Sequence, residues 1–274
     1  MKNINRLLPI LSTIVVALSV LLTGCQDVIE LDLNSSNAQT VIKASLQEGE
    51  HLFVVDITQT TDYFNPGQPV PIDDAVVTLS ENGGESTVVP FSENGQYATT
   101  FKAVAGKTYT LTVAAKGQTY LAVSYLQQAV ELDTITAQKT EGFRPPGTDG
   151  DYIVYLNFMD PPATKNYYRV VVTKNGVLNT DAADLTILED KSFDGKNANF
   201  PIQSDLYNEG DSLSVELRSI DEAAWNYYNT ISSLVGAGMG GSSAAPANPV
   251  TNWSNNALGY FIAYSSSTIK GVIR

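Results

Sequence analysis

Both residues of an Asn-Gly pair tolerate positive φ, so such a pair between alternating apolar runs directs the backbone into a tight hairpin turn. The chain carries this arrangement at Asn82-Gly83, Asn94-Gly95 and Asn175-Gly176, with Lys116-Gly117 in an equivalent setting. The flanking segments are short and alternate. In Tyr109-Thr110-Leu111-Thr112-Val113 the apolar residues share one face and the threonines the other, the pattern of a half-buried antiparallel strand. Phe53, Val55 and Ile57 oppose Leu52, Val54 and Asp56 in the same way. Together with segments 38–46, 74–80, 86–92, 96–103, 107–116 and 119–127, these make seven short strands within residues 38–130. That spacing predicts an immunoglobulin-like sandwich.

A connecting strand and a Pro/Gly stretch, Gly142 to Gly150, place a boundary in residues 131–150. Residues 151–274 read as a second, fibronectin-like β-sandwich, with strands in 152–160, 166–174, 184–195 and 212–220 and two more in 257–274. One α-helix is expected near residues 220–235. Ser219 with Glu222 fits a capping box, and Asp221 could serve as the cap instead. Ala224, Tyr228, Ile231 and Val235 would line one face of it. The fold class is therefore mainly all-β, in two sandwich domains.

The N-terminus carries a different message. Lys2 and Arg6 precede an apolar run, Leu7 to Leu22, of 16 residues, short of the roughly 20 needed to span a bilayer. Leu22-Thr23-Gly24-Cys25 resembles the lipobox of bacterial lipoproteins, and Cys25 is the only cysteine. The resemblance implies a signal peptide at residues 1–24, cleavage before Cys25, and acyl chains on its sulfur and new N-terminus. A lone cysteine forms no internal disulfide, whereas two or more acyl chains hold a protein durably on a membrane. Residues 25–37 would be the tether. The mature chain keeps 14 basic against 29 acidic residues, a net charge of -15. Such a surface repels nucleic acid.

Several segments together resemble a Bacteroidetes lipoprotein family, domain of unknown function 4249 (DUF4249). They include DITQTTDYF, ENGQYATTFKAVAGKTYTLTVAAKGQTYLA, GDSLSVELRSIDEAAWNYY and NPVTNWSNNALGYFIAYS, in that order. The resemblance implies an outer-membrane lipoprotein, commonly encoded beside a TonB-dependent transporter, with no established catalytic residues. Of Asn256-Ala257-Leu258-Gly259-Tyr260-Phe261 only the latter part matches the Gly-rich close frequent in the family, and Gly259 reads as a turn before a strand.

No motif for chemistry stands out. His51 is the only histidine and Cys25 is assigned to lipid, so a zinc tetrad is excluded on numbers. No Gly-x-Ser-x-Gly elbow accompanies His51, which reads as a surface residue. Ser267-Thr268-Ile269-Lys270 lacks the companion motifs of penicillin-binding enzymes, and Gly236 to Gly241 has no following Lys-Ser/Thr. Asp181, Asp184, Glu189, Asp190 and Asp194, and Asp149 with Asp151, supply oxygens of the kind Ca²⁺ takes, but without EF-hand spacing; they read as solvated acidic loops, with Ca²⁺ the alternative. Aromatic residues are the candidate contacts. Tyr63 and Phe64, beside Asn65-Pro66-Gly67, and Trp253 are the three expected to meet a glycan or peptide ligand, or a partner. Trp225, Tyr227 and Tyr228 are expected to pack in the second core.

The expectation is a non-enzymatic, lipid-anchored outer-membrane protein without cofactor or metal. It would face the periplasm or the outside and assist a TonB-dependent transporter in ligand capture or docking. A surface adhesin or fimbrial-type subunit is the alternative, and a hydrolase with an unrecognised carboxylate pair a further one. Replacing Cys25 with Ala is expected to move the protein from the membrane to the soluble fraction. Fractionation and immunoblotting read this, and a variant that still sediments with membranes would remove the anchor.

Overall fold

The computed structural model describes residues 38–61, 67–140, 150–180, 185–202, 206–238 and 248–274. Residues 22–25, Tyr63, Phe64, Asp149, Asp181 and Asp184 lie outside the described residues.

Most of the alternating segments fold as read, but 86–92, read as one strand, divides at Pro90 into two short strands that join different sheets. In chain order they are β1 (Thr40–Gln47), β2 (Gly49–Gln59), β3 (Val70–Pro71), β4 (Val76–Glu81), β5 (Ser86–Val89), β6 (Phe91–Glu93), β7 (Gln96–Ala103), β8 (Thr108–Ala115) and β9 (Gln118–Tyr125). Then follow β10 (Leu132–Lys139), β11 (Tyr152–Met159), β12 (Tyr167–Lys174), β13 (Val177–Leu178), β14 (Thr186–Glu189), β15 (Asn197–Pro201) and β16 (Ser212–Ile220). The helix α1 (Glu222–Gly238) and β17 (Phe261–Val272) close the chain. Asn82, Asn94, Lys116 and Asn175 take φ of 46 to 51°, and the glycines after them φ of 71 to 80°, as two-residue hairpins require. On β2 the alternation is literal, with Phe53, Val55 and Ile57 buried and Leu52 67% exposed.

Among the described residues the strands make three sheets. The largest runs β13-β12-β16-β17-β1-β2-β7-β6, with β14 paired to β12 and β3 to β2. The others are β5-β4-β8-β9 and β10-β11-β15. Two cores lie against the large sheet. Phe53, Val55, Ile57 and Phe261 meet Val77, Leu79, Leu111, Val113 and Ala122 of the four-stranded sheet in the first. Val170, Val172, Val215 and Leu217 meet Val154, Leu156, Phe158 and Ala198 of the three-stranded sheet in the second. The helix covers the other face of the large sheet, where Tyr167, Ile220, Ala224, Tyr260, Ile262 and Tyr264 form a third cluster.

The C-terminal segment differs from its reading as two strands. It is one 12-residue strand, β17, because Ser265, Ser266 and Ser267 pair with Ser219, Arg218 and Leu217 of β16 rather than turning. The first half of β17 lies parallel to β1, Ala44 opposite Phe261 and Gln47 opposite Tyr264. Phe261 and Ala263 complete the first core, while Ile269 and Ile273 pack on the second. The cores that the 38–130 and 151–274 segments were expected to build separately therefore share one strand. Residues Asn37–Arg274 cluster as one compact unit.

Gly259 is the turn before β17. Its φ is +87°, and a Cβ there would sit 2.2 Å from the Ile42 carbonyl oxygen. Gly83, with φ +71° and open space around it, carries only the backbone strain. Gly259→Ala is expected to cost about 3–5 kcal/mol and Gly83→Ala about 1 kcal/mol. Urea denaturation of both variants checks the contrast.

Candidate binding site

Strand alternation sends Tyr167, Arg169 and Val171 of β12 to one face, and Glu216, Arg218 and Ile220 of β16 to the same face. Pairing register then decides the neighbours: Arg169 lies directly opposite Arg218, and Arg218 directly opposite Ser266 of β17. Two arginines thus occupy paired positions on one face of a sheet in a strongly acidic protein.

The helix brings aromatic rings to them. Asp221 is its N-cap, Oδ1 accepting from the Ala224 N–H at 2.7 Å, while Ser219 lies within β16, buried opposite Ser265. The other oxygen, Oδ2, accepts from the Ser124 hydroxyl at 2.8 Å and the Tyr125 N–H at 3.0 Å, so one carboxylate starts the helix and ties it to the edge of β9. Ala224 is fully buried against the sheet. Trp225 packs on Tyr167 with centroids 5.6 Å apart, and Tyr227 stacks on Tyr260 at 4.6 Å. These aromatics therefore cover the outer face of the sheet and do not enter the second core.

Each arginine lies over a tyrosine: Arg169 over Tyr228 at 4.2 Å and Arg218 over Tyr264 at 4.4 Å from the ring centroid. Arg169 also donates to the Tyr228 hydroxyl, and Arg218 donates to Glu216 Oε2 at 2.8 Å. Burial opposes the Arg218 charge, but the Glu216 hydrogen bond and surrounding tyrosine and glutamate oxygens hold its pKa above the usual value. Burial raises the pKa values of Tyr227, Tyr260 and Tyr264, so all three are neutral donors near pH 7. The buried Arg169 Nε, Arg218 Nε, Trp225 Nε1 and Tyr260 hydroxyl have no hydrogen-bond partner among the described residues. Unmet donors of this kind are costly. The arrangement can offer positive charge and hydrogen-bond donors to an anion, while the tyrosine faces hold the two guanidinium groups.

A second cluster is acidic. Oxygens of Asp160, Asp190 and Asp194 lie within 4.8 Å of one another. Each is already engaged: Asp160 accepts from the Tyr168 hydroxyl and the Gly195 N–H, Asp190 from the Asn166 N–H, and Asp194 from the Ala163 N–H. Burial raises the Asp160 pKa, Tyr168 and Gly195 pull it back, and Asp190 and Asp194 add to the rise. A cleft of about 470 Å³ beside Asp190 and Asp194 is also lined by Lys165 and Lys191. The oxygens suit a hard cation; the geometry itself is a clasp joining three loop segments. Asp190 and Asp194 were legible as acids in one segment, whereas Asp160 arrives from the end of β11.

Of the residues expected to contact a ligand, Tyr63 and Phe64 lie outside the described residues. Trp253 is corrected: it is 5% exposed, belongs to the first core and donates Nε1–H to the Ile42 carbonyl at 3.1 Å. Its ring is spent on packing. His51 is exposed, as read. The arginine pair was not anticipated, since only pairing register brings Arg169 and Arg218 together.

The family model described as "Domain of unknown function (DUF4249)" matches residues 26–270. No curated protein matches the sequence. Among solved structures, the two fibronectin type-III domain segment from chicken tenascin is similar at 11% identity, covering 67% of this chain and 91% of that one, with a TM-score of 0.22.

The clasp yields a pH-dependent test. Because the Asp160 pKa is raised in the fold, its ionisation costs stability as pH rises above the ordinary carboxylate value. Tyr168→Phe removes the donor that offsets this, pushing the pKa further up. Its stability loss is expected to be about 2–3 kcal/mol at pH 7 and smaller at a pH below the ordinary carboxylate value, where Asp160 is protonated. Denaturation at the two pH values measures it.

Proposed function

The chain belongs to the family described as domain of unknown function (DUF4249), and from that premise we propose a lipid-anchored outer-membrane binding protein. It works beside a TonB-dependent transporter, capturing ligand or docking on the transporter, and acts by binding rather than catalysis. Its two cores are immunoglobulin-like and fibronectin-like sandwiches, the second carrying the helix. The observation that carries the binding reading is the Arg169–Arg218 pair with its tyrosine faces, because paired cations with unmet donors are built for an anionic group. The lipobox around Cys25 supports the anchor. Anchoring raises the effective concentration of the protein near a transporter without a tight interface.

Solubilising membranes in mild detergent and isolating the tagged full chain tests the reading. A TonB-dependent transporter is expected to co-purify with the native protein and to be lost with Cys25→Ala. Recovery of the protein free of any transporter would count against it, and filaments formed on leader removal would favour a structural subunit instead.

A further inference from the structure

The donors around the helix identify a ligand chemistry. Seven buried polar side-chain atoms lack a hydrogen-bond partner among the described residues, and four of them belong to Arg169, Arg218, Trp225 and Tyr260 around one cluster. Unmet polar groups concentrated at one place of a fold call for a local explanation. Packing does not supply one, because a hydrophobic pair at positions 169 and 218 would hold α1 on the sheet without desolvating charge.

Charge accounting narrows the answer. Arg169 and Arg218 bring two positive charges to adjacent positions of β12 and β16. Glu216 neutralises one of them through Arg218 at 2.8 Å. Arg169 makes no ion pair among the described residues; its partner is the ring and hydroxyl of Tyr228. Counting the groups that touch the two arginines, the site carries one net positive charge; the Asp221 carboxylate, whose field reaches Tyr260, is engaged by the Ala224 and Tyr125 N–H groups and the Ser124 hydroxyl. One monoanion balances it, whereas a phosphate dianion would overshoot and meet the Glu216 carboxylate. A guanidinium fork pairs best with a planar, two-oxygen acceptor. The surroundings select what carries that group: Tyr264 is buried beneath Arg218, half-buried Tyr228 under Arg169 is the ring left to meet an attached body, and Ser266 continues the row across β17.

We propose that the Arg169–Arg218 pair, with Tyr228 and Tyr264, binds a monovalent carboxylate carried on a ring or apolar body. This names the ligand chemistry of the site assigned above and rests on the binding reading given there. The carboxylate takes guanidinium donors that Tyr228 and Glu216 do not use, and the attached body lies against tyrosine. A uronate sugar and a peptide C-terminus share this chemistry.

Side-chain Nε–Hε signals of the full chain in ¹H–¹⁵N spectra locate binding directly. The probes are galacturonate with its methyl ester, N-acetyltyrosine with N-acetyltyrosinamide, and inorganic phosphate, all at matched ionic strength. The Arg169 and Arg218 signals are expected to shift saturably with at least one acid. The ester, the amide and phosphate are expected to leave them in place. Which acid binds more tightly separates a sugar source from a peptide source. Arg169→Gln is expected to weaken binding roughly 10- to 100-fold, and Arg169→Lys to restore only part of it. A wild-type protein whose two signals stay still with both acids overturns the proposal, even if the variants fail to fold. So does an equal response to acid and to ester or amide, or a saturable response to phosphate. Transporter co-purification is independent of these spectra, so failure of the ligand assignment and failure of the functional reading are distinguishable.

Discussion

The parallel ladder between β1 and β17 is the contact on which the described structure depends. Ile42 stands where that ladder begins, fully buried, its N–H donating to Leu258 and its carbonyl accepting from Trp253 Nε1. Gly259 approaches so closely that a side chain has no room. Residues separated by more than 200 positions therefore meet along one strand, and β17 continues from there to β16. A parallel pair needs a long crossover, and here it takes nearly the whole described chain. The consequence is mechanical: neither core closes without the C-terminal strand.

A polar seam accompanies that strand where the two cores adjoin. Ser267 Oγ accepts from the Leu132 N–H and donates to Glu131, and Ser124 accepts from Ala263 and donates to Asp221. Buried hydroxyls are tolerated when their hydrogen bonds are made. Through Ser124 and Asp221 the seam also orients α1, whose first turn is anchored to the edge of β9. The aromatic covering over Arg169 and Arg218 thus inherits its position from the junction. The acidic clasp at Asp160, Asp190 and Asp194 is the counterpart in the second half, joining loops through backbone N–H donors.

How much could be read beforehand followed the range of the interaction. Hairpin turns depend on two adjacent residues, and every Asn-Gly named from the chain adopts positive φ at both positions. Strand faces depend on alternation, so the burial of Phe53, Val55 and Ile57 was visible too. The helix was legible from spacing, and its cap was left between Ser219 and Asp221 because both carry an oxygen; Ser219 pairing with Ser265 leaves the role to Asp221. Trp253 misled because an aromatic after a loop has the same local appearance whether it meets a ligand or a backbone carbonyl across the core. The three serines of β17 misled likewise, since small polar residues suit a turn equally well.

By itself the sequence determined the β class, the hairpins, the acidic surface and the family resemblance. Each of these is local chemistry or a sum over residues. Only the tertiary structure decided that β17 serves both cores, that Trp253 is internal, and that Arg169 lies opposite Arg218, each over a tyrosine ring. Such features arise from register between strands distant in the chain, and a one-residue slip would send either arginine to the opposite face.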